Sequence, residues 1–428
     1  MRILPLTLAT VLAASVAATP AAFALSEPVP TVTTPASQVG DQLRWLLDAV
    51  NRAPIPESEL AAHFAADFLA AVPAAQINQS MGAFKGMRLD KIASETPTEI
   101  GALVTLKDKQ YRLDIGVDST GKINYLLFTR PAPTSWQELD ERLRKSAPRV
   151  GFLAAEVLPG GRCRPVHAIN ADKARPLGSM FKLYVLGAVA KAVKAGRFDW
   201  DTPLTIKPSL KSLPSGVLQD RPDNSTVPVS EAADLMISIS DNTGADLLLH
   251  QAGRRNVEAV NRAWSSHANA PFLSTREMFL LKGTGRDQAY LSRGTAQRRA
   301  YLAGEVAKVP LSEFKMWNGP RDIDTIEWFG SPLDVCRAHA HLRGLGSAQV
   351  NRAMSLNDGT MNVPGWSQAW YKGGSEPGVL DVSYSARSAS GRTFVVTAMA
   401  SDPGASLLEA DVANELMALS RGAFGLLS

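Results

Sequence analysis

What most restricts this chain is where its strand patterns fall after residue 131. At the near end, Val150–Leu158 turns at Pro159-Gly160-Gly161 into a second strand near Pro165–Ile169. At the far end come Trp366–Lys372, Val379–Ser388 and, after a hairpin at Ser390-Gly391, Thr393–Ala400, and a helix follows from about Ser406 to Ser420. The pattern between is mostly helical. Two apolar strands cannot form a stable sheet by themselves, so the two ends must meet in one antiparallel sheet with a helical cluster inserted. A helix Trp136–Ser146, opened by a capping box of Ser135 and Glu138, starts this domain after Pro131 and Pro133.

The 428 residues are too many for one ordinary domain. Arg2, the apolar run from Ile3 to about Ala18 and the pattern Ala22-Phe23-Ala24 read as a secretory signal over residues 1–24. The competing reading, an uncleaved anchor, is opposed by Pro5 and the shortness of the run, so no membrane span is expected after cleavage, and the protein should be secreted or periplasmic. No cysteine near the cleavage site offers a thiol for lipidation. Residues 25–37, rich in Pro, Thr and Ser, read as a tether. A first α+β domain is expected over 38–131, with helices Gln38–Val50 and Glu57 to about Val72, then strands LVTLKD, YRLDIGVD and INYLLFTR with a hairpin at Asp118–Gly121. The second domain takes 132–428.

Against 41 acidic residues stand 45 basic ones, scattered rather than clustered, which excludes a nucleic-acid partner. The two cysteines, Cys163 and Cys336, are too few for a zinc site by themselves; a bridge between them is permitted but not required.

Three short motifs carry the chemistry. Ser179-Met180-Phe181-Lys182 opens the apolar run LYVLGAVAKAV, so a hydroxyl and an amine three residues apart share one helical face. Serine is a weak nucleophile without a base, and a lysine held in an apolar pocket can be neutral enough to take its proton. Ser240-Asp241-Asn242 lies between two helical stretches about sixty residues on, and Lys372-Gly373-Gly374-Ser375 ends a strand near the far end. In this order and at this spacing the set resembles the signature of class A β-lactamases and penicillin-binding proteins, over about Ser135–Ser428. The resemblance implies a β-lactamase/transpeptidase-like fold, an antiparallel sheet with a helical lobe, and an acyl-enzyme formed on Ser179. It implies Lys182 as base or relay, Ser240 as proton donor to the leaving atom, and Lys372 as the group that polarises Ser240 and attracts a substrate carboxylate. Asn242, Gly373, Gly374 and Ser375 would contact substrate, with the amides of Ser179 and Ser375 as oxyanion hole. Asp241 reads as a helix cap.

The motif departs from that family at Gly373, where Ser or Thr would hydrogen-bond a substrate carboxylate; that loss is worth roughly ten- to a hundredfold in affinity. Glu277-Met278-Phe279-Leu280-Leu281 resembles the Glu-x-x-Leu-Asn segment that holds the deacylating water, with Leu281 replacing Asn, so Glu277 is either a base with one arm or a surface or Arg276-paired glutamate. These departures and the front domain resemble a two-domain subgroup typified by the β-lactamase-like protein of the clavulanic-acid biosynthetic cluster. In that subgroup the front domain is cone-like, similar to polyketide cyclases and steroid isomerases. The implied activity is weak β-lactam, cephalosporin or ester hydrolysis, with D-Ala-D-Ala peptides and cell-wall peptide as further possible partners. A non-catalytic binder of β-lactams or cell-wall fragments is the alternative.

No cofactor and no metal are expected: His339 and His341, at i and i+2 on a helix, diverge, and His63 reads as a packed or surface histidine. Alternation along the strand puts Trp366, Trp370 and Lys372 on one face and Tyr371 on the other.

Overall fold

The computed structural model describes residues 32–213, 215–361, 363–408 and 410–427, so the leader at 1–24 and the first part of the tether, 25–31, lie outside the described residues. The chain forms two compact units divided between Pro131 and Ala132.

The first unit runs α1 (Gln38–Arg52), α2 (Glu57–His63), α3 (Ala66–Ala71), α4 (Ala74–Ala83) and then β1 (Arg88–Glu95), β2 (Glu99–Leu106), β3 (Lys109–Val117) and β4 (Ile123–Thr129). The strands form an antiparallel sheet in the order β1-β2-β3-β4. Val39, Leu43, Leu46 and Val50 of α1 recur every three to four residues and bury against the alternate positions Ile100, Ala102 and Val104 of β2 and Leu113 and Ile115 of β3. Two features differ from the sequence reading. The long second helix is two short ones, because the chain leaves helical geometry at Phe64–Ala65 for Ala65 N to donate to Ile123 O (2.9 Å). Strand β1 was not expected: it is a charged edge strand whose two register shifts break the alternation that marks half-buried strands.

In the second unit, α5 (Trp136–Ser146) leads into β5 (Arg149–Leu158) and β6 (Arg162–Ile169). The Ser135 hydroxyl accepts from Glu138 N (3.1 Å), but the Glu138 carboxylate reaches back to Thr134 N (2.8 Å) rather than closing the expected box on Ser135. Next come β7 (Arg175–Pro176), α6 (Lys182–Lys194), β8 (Pro203–Thr205), β9 (Thr226–Pro228), α7 (Val229–Ser238), α8 (Asn242–Ala252), α9 (Arg254–Trp264), α10 (Thr275–Gly283), α11 (Asp287–Leu291) and α12 (Thr295–Gly304). The chain continues through β10 (Phe329–Gly330), α13 (Pro332–Gly344), α14 (Ala348–Ser355), β11 (Trp366–Glu376), β12 (Val379–Ser388), β13 (Thr393–Ser401) and α15 (Ala410–Leu426).

The two chain ends meet as the strand pattern requires, in one antiparallel sheet of order β11-β12-β13-β5-β6. Central strand β5 is buried on both faces. Phe152 and Ala154 face the cluster that holds Leu139 and Leu143 of α5 and Leu416, Leu419 and Phe424 of α15. Leu153 and Ala155 face Cys336 of α13. Each fully buried leucine or phenylalanine is worth about 1.5–3 kcal/mol, so the closing helix is a substantial part of the fold. Cys163 on β6 and Cys336 on α13 form the disulfide that the sequence left open, with Cα atoms 6.4 Å apart. On the other face α6, fully apolar over Leu183–Val189, is the axis of a helical lobe built from α7, α8, α9, α10 and α14.

Candidate active site

Ser179 lies in a single 3-10 turn, Gly178–Phe181, that runs directly into α6. With three residues per turn, positions i and i+3 eclipse, which carries the Lys182 side chain back under Ser179. Gly178 and Gly374 permit the turn to lie against edge strand β11. Gly178 has φ +45°, and a Cβ there would lie 2.7 Å from Ser375 N; a Cβ on Gly374 would collide with Leu177 O and lie 2.9 Å from Ser179 N. The two glycines therefore bring the amide-bearing segments of Ser179 and Ser375 together.

Lys182 is fully buried, and its Nζ has four oxygen neighbours: Ser240 O (2.6 Å), Asn242 Oδ1 (2.7 Å), Ser240 Oγ (3.0 Å) and Ser179 Oγ (3.3 Å). Asn242 Nδ2 donates to Leu213 O (3.0 Å), which fixes its oxygen toward the lysine. The two carbonyl oxygens can only accept, so they use both N–H bonds of a neutral amine and leave its lone pair for a serine hydroxyl. Burial, and then the nearby Lys372, hold the Lys182 amine well below the usual lysine range. Lys372, also buried, donates to Ser240 Oγ (3.0 Å) and Gly373 O (2.7 Å), and burial brings it down to about 7. Neither amine has a carboxylate among its hydrogen-bond partners.

Ser240 links the two lysines from a left-handed backbone, φ +60°, a conformation that costs a non-glycine residue about 1–3 kcal/mol. The neighbours hold it there. Asp241 caps α8 through Gly244 N (2.7 Å) and also accepts from Val217 N (2.7 Å) and Leu218 N (2.9 Å), while Ser215 Oγ donates to Ser240 O (2.7 Å).

Thus Ser179, Lys182, Ser240, Asn242 and Lys372 are brought together, with Gly373, Gly374 and Ser375 on the adjoining strand. Glu277 is not among them. It closes a capping box with Ser274 at the start of α10, and Arg254 donates to both its oxygens (2.6 and 2.7 Å). The alternative partner, Arg276, instead donates to Lys211 O and Val309 O (both 2.9 Å). Leu281 is buried in the lobe core. Another correction concerns the aromatic run: Trp366 joins the cluster on Tyr371's side and Trp370 the opposite one, because an irregularity between Ser367 and Trp370 reverses the alternation.

A second buried constellation was not foreseen. Lys282 on α10 donates to Glu376 Oε1 (2.6 Å) and Oε2 (2.8 Å), with Glu327 Oε1 at 3.9 Å. Glu327 Oε2 accepts from Gly178 N (3.2 Å) and Trp328 N (3.0 Å). Burial, and then Glu376, push the Glu327 carboxyl well above the usual range, so it keeps its proton. This network braces the Ser179 turn and the end of β11. Its sequence trace was a lysine inside the apolar run Leu280-Leu281-Lys282 and an acid directly after the third motif.

Residues 135–305 match the family described as the beta-lactamase enzyme family. The second unit has a β-lactamase/transpeptidase-like fold, with a helical lobe beside an antiparallel sheet. Residues 34–123 match a separate family, the ORF 12 gene product N-terminal domain. No curated protein aligns with the chain. Among solved structures, the β-lactamase from Sphaerobacter thermophilus is 18% identical over 68% of this chain and 97% of its own, with a TM-score of 0.48. PBP-A is 19% identical over 70% and 99%, with a TM-score of 0.45. An ancestral class A β-lactamase is 18% identical over 68% and 98%, with a TM-score of 0.48. Among the described residues no helix is long and apolar enough to cross a membrane, and no cluster of His, Cys, Asp and Glu could hold a metal ion.

Proposed function

We propose that this protein is a secreted serine hydrolase that forms an acyl-enzyme on Ser179, acting on β-lactam, cephalosporin or ester carbonyls. The observation that carries the reading is the buried Lys182 amine, placed 3.3 Å from Ser179 Oγ with only neutral oxygens as its hydrogen-bond partners. As a neutral base it takes the hydroxyl proton as Ser179 Oγ bonds to the carbonyl carbon. The amides of Ser179 and Ser375 receive the negative oxygen that develops. Collapse breaks the bond to the leaving atom, which collects the proton from Ser240 Oγ. Ser240 is replenished from Lys182, and Lys372 keeps its hydroxyl polarised. Water then cleaves the acyl ester and restores Ser179.

The leader at residues 1–24 would export the chain. A separate N-terminal family ahead of the β-lactamase-family segment supports the two-domain subgroup, similar to the clavulanic-cluster protein, in which the front unit is cone-like.

A second reading, a protein that binds β-lactams or cell-wall fragments without turnover, is favoured by one observation: Glu277 is committed to Arg254 and its cap. Such a site would acylate and then deacylate slowly. Mass spectrometry after exposure to a fluorescent penicillin, beside turnover of a chromogenic short-chain ester, distinguishes the readings. An adduct on Ser179 with ester turnover is expected for the hydrolase. A permanent adduct without turnover would indicate the trap, and no adduct at all would overturn both acylating readings.

A further inference from the structure

A cleft of about 450 Å³ opens between the last turn of α13 and the end of the sheet opposite Ser375, with Val157, Pro159, Gly160, Ala340, Arg343 and Thr393 among its walls. Its size suits a small organic molecule better than a bare ion. Arg343 enters it from α13. Where the irregularity between Ser367 and Trp370 interrupts the β11–β12 ladder, Arg343 Nη2 donates to Gln368 O (2.8 Å) and Ser385 O (3.1 Å), and its Nε donates to Ser385 Oγ (2.8 Å). The guanidinium carbon lies 3.9 Å from the centroid of the Trp370 ring. The group is thus held in one plane, and its Nη1 has no hydrogen-bond partner among the described residues.

Arg387 stands two positions after Ser385 on β12, hence on the same face and about 7 Å further along the strand. Its Nε donates to the carbonyl of Gly391, a residue of the cleft wall (2.9 Å), and a Cβ on that glycine would lie 3.5 Å from its Nη2. Among the described residues neither guanidinium has a carboxylate partner. Burial, and then Arg387, bring Arg343 down to about 10, as two like charges without a counter-ion require. The acid that lines the cleft, Glu156, does not neutralise them. It shares the sheet face of Phe152 and Ala154, away from α13, where it is bound to Arg164 with Arg392 Nη1 at 3.9 Å.

We propose that Arg343 Nη1 and Arg387 hold the phosphate of a small organic phosphate monoester, whose carbon body lies along Val157, Pro159 and Ala340. Planar guanidinium forks match phosphate oxygens, and two uncompensated positive charges match a dianion, whereas a carboxylate would neutralise only one. The site is separate from the acyl pocket: Ser367, the β11 partner of Arg387, precedes Lys372 by roughly 15 Å of strand. The inference therefore stands whether or not Ser179 is acylated.

Calorimetric titration of the full-length protein with phenyl phosphate, in a buffer free of other oxyanions, tests the site, beside inorganic phosphate, benzoate and benzyl alcohol. Phenyl phosphate should bind at one site and more tightly than the other three. Arg387→Gln, at an exposed side chain, should weaken it about 10- to 100-fold, the worth of one hydrogen bond to a charged group. Arg343→Lys, which keeps the charge but not the fork, should weaken it as well. In Ser179→Ala the affinity should be unchanged. No binding at millimolar phenyl phosphate, or binding that both arginine variants leave unmoved, overturns the proposal. Benzoate bound as tightly overturns the match to a dianion, and inorganic phosphate bound as tightly overturns the organic body. Loss of binding in Ser179→Ala would put the phosphate in the acyl pocket and overturn the separate site.

Discussion

Lys182 and Lys282 are both wholly withdrawn from solvent, the first directly after the serine turn and the second linked to it through Glu327, yet their surroundings are opposite. Lys182 meets hydroxyl and carbonyl oxygens only, whereas Lys282 meets the Glu376 carboxylate with Glu327 behind it. Removing a charge from water costs several kcal/mol, and a carboxylate partner offsets that cost while neutral oxygens do so only in part. The same side chain is therefore driven toward a neutral base in one place and tied into a carboxylate contact in the other. The charge of the partners, rather than depth of burial, sets the role.

Exchanging each lysine for an apolar residue of similar length breaks the comparison most sharply. Lys182→Met should lower the rate of Ser179 acylation by about 10²–10⁴-fold, the usual contribution of a general base, and should lower stability less than the Lys282 exchange, because it leaves neutral acceptors rather than a buried charge without a partner. Acylation at the original rate would remove Lys182 from the base role. Lys282→Met should do the reverse in kind: it strands the Glu376 carboxylate and should lower stability by about 3–5 kcal/mol in urea unfolding. Glu376→Gln in that background should recover part of the loss. Equal stability of Lys282→Met and the parent would show that the pair contributes nothing.

The contrast explains what the sequence disclosed. Ser179 and Lys182 were legible because a three-residue spacing at a helix start is local, and Ser240 and Lys372 because their motifs fall at fixed places in the chain order. The sheet followed from strands that have nowhere else to bury. By contrast, the Lys282–Glu376–Glu327 network joins residues from α10, β11 and the segment before β10, and no periodicity marks a partnership of that kind. Glu277 misled for a related reason: its place after Ser240 suited a base, but its partner, Arg254, comes from the start of α9, 23 residues earlier, and no local spacing marks that pairing. Trp366 was assigned to the wrong face because one irregularity in β11 reverses every side chain beyond it. The disulfide was open in the sequence since only the fold decides whether two sulfurs meet.

A smaller effect sharpens the comparison through pH. Lys372 has a folded value of about 7, below the roughly 10.4 of an unfolded lysine. Between those values the unfolded chain holds a proton that the folded chain lacks, so stability should rise with pH over that window, by at most about 1.4 kcal/mol per pH unit for this group. Lys182, shifted in the same direction, adds to the slope. Denaturant unfolding at several pH values should give a shallower rise from about pH 7 to pH 10 in Lys372→Met than in the parent. Parallel curves would mean that Lys372 keeps its proton in the fold.

The most direct measurement is the titration of Lys182 itself, by NMR of protein labelled with carbon-13 at the lysine Cε, its resonance assigned by its absence in Lys182→Met. The expected midpoint lies well below the ordinary value of about 10.4, with the amine neutral over the range in which Ser179 is acylated. A midpoint at or above that ordinary value would contradict it, because an amine that keeps its proton cannot take one from Ser179.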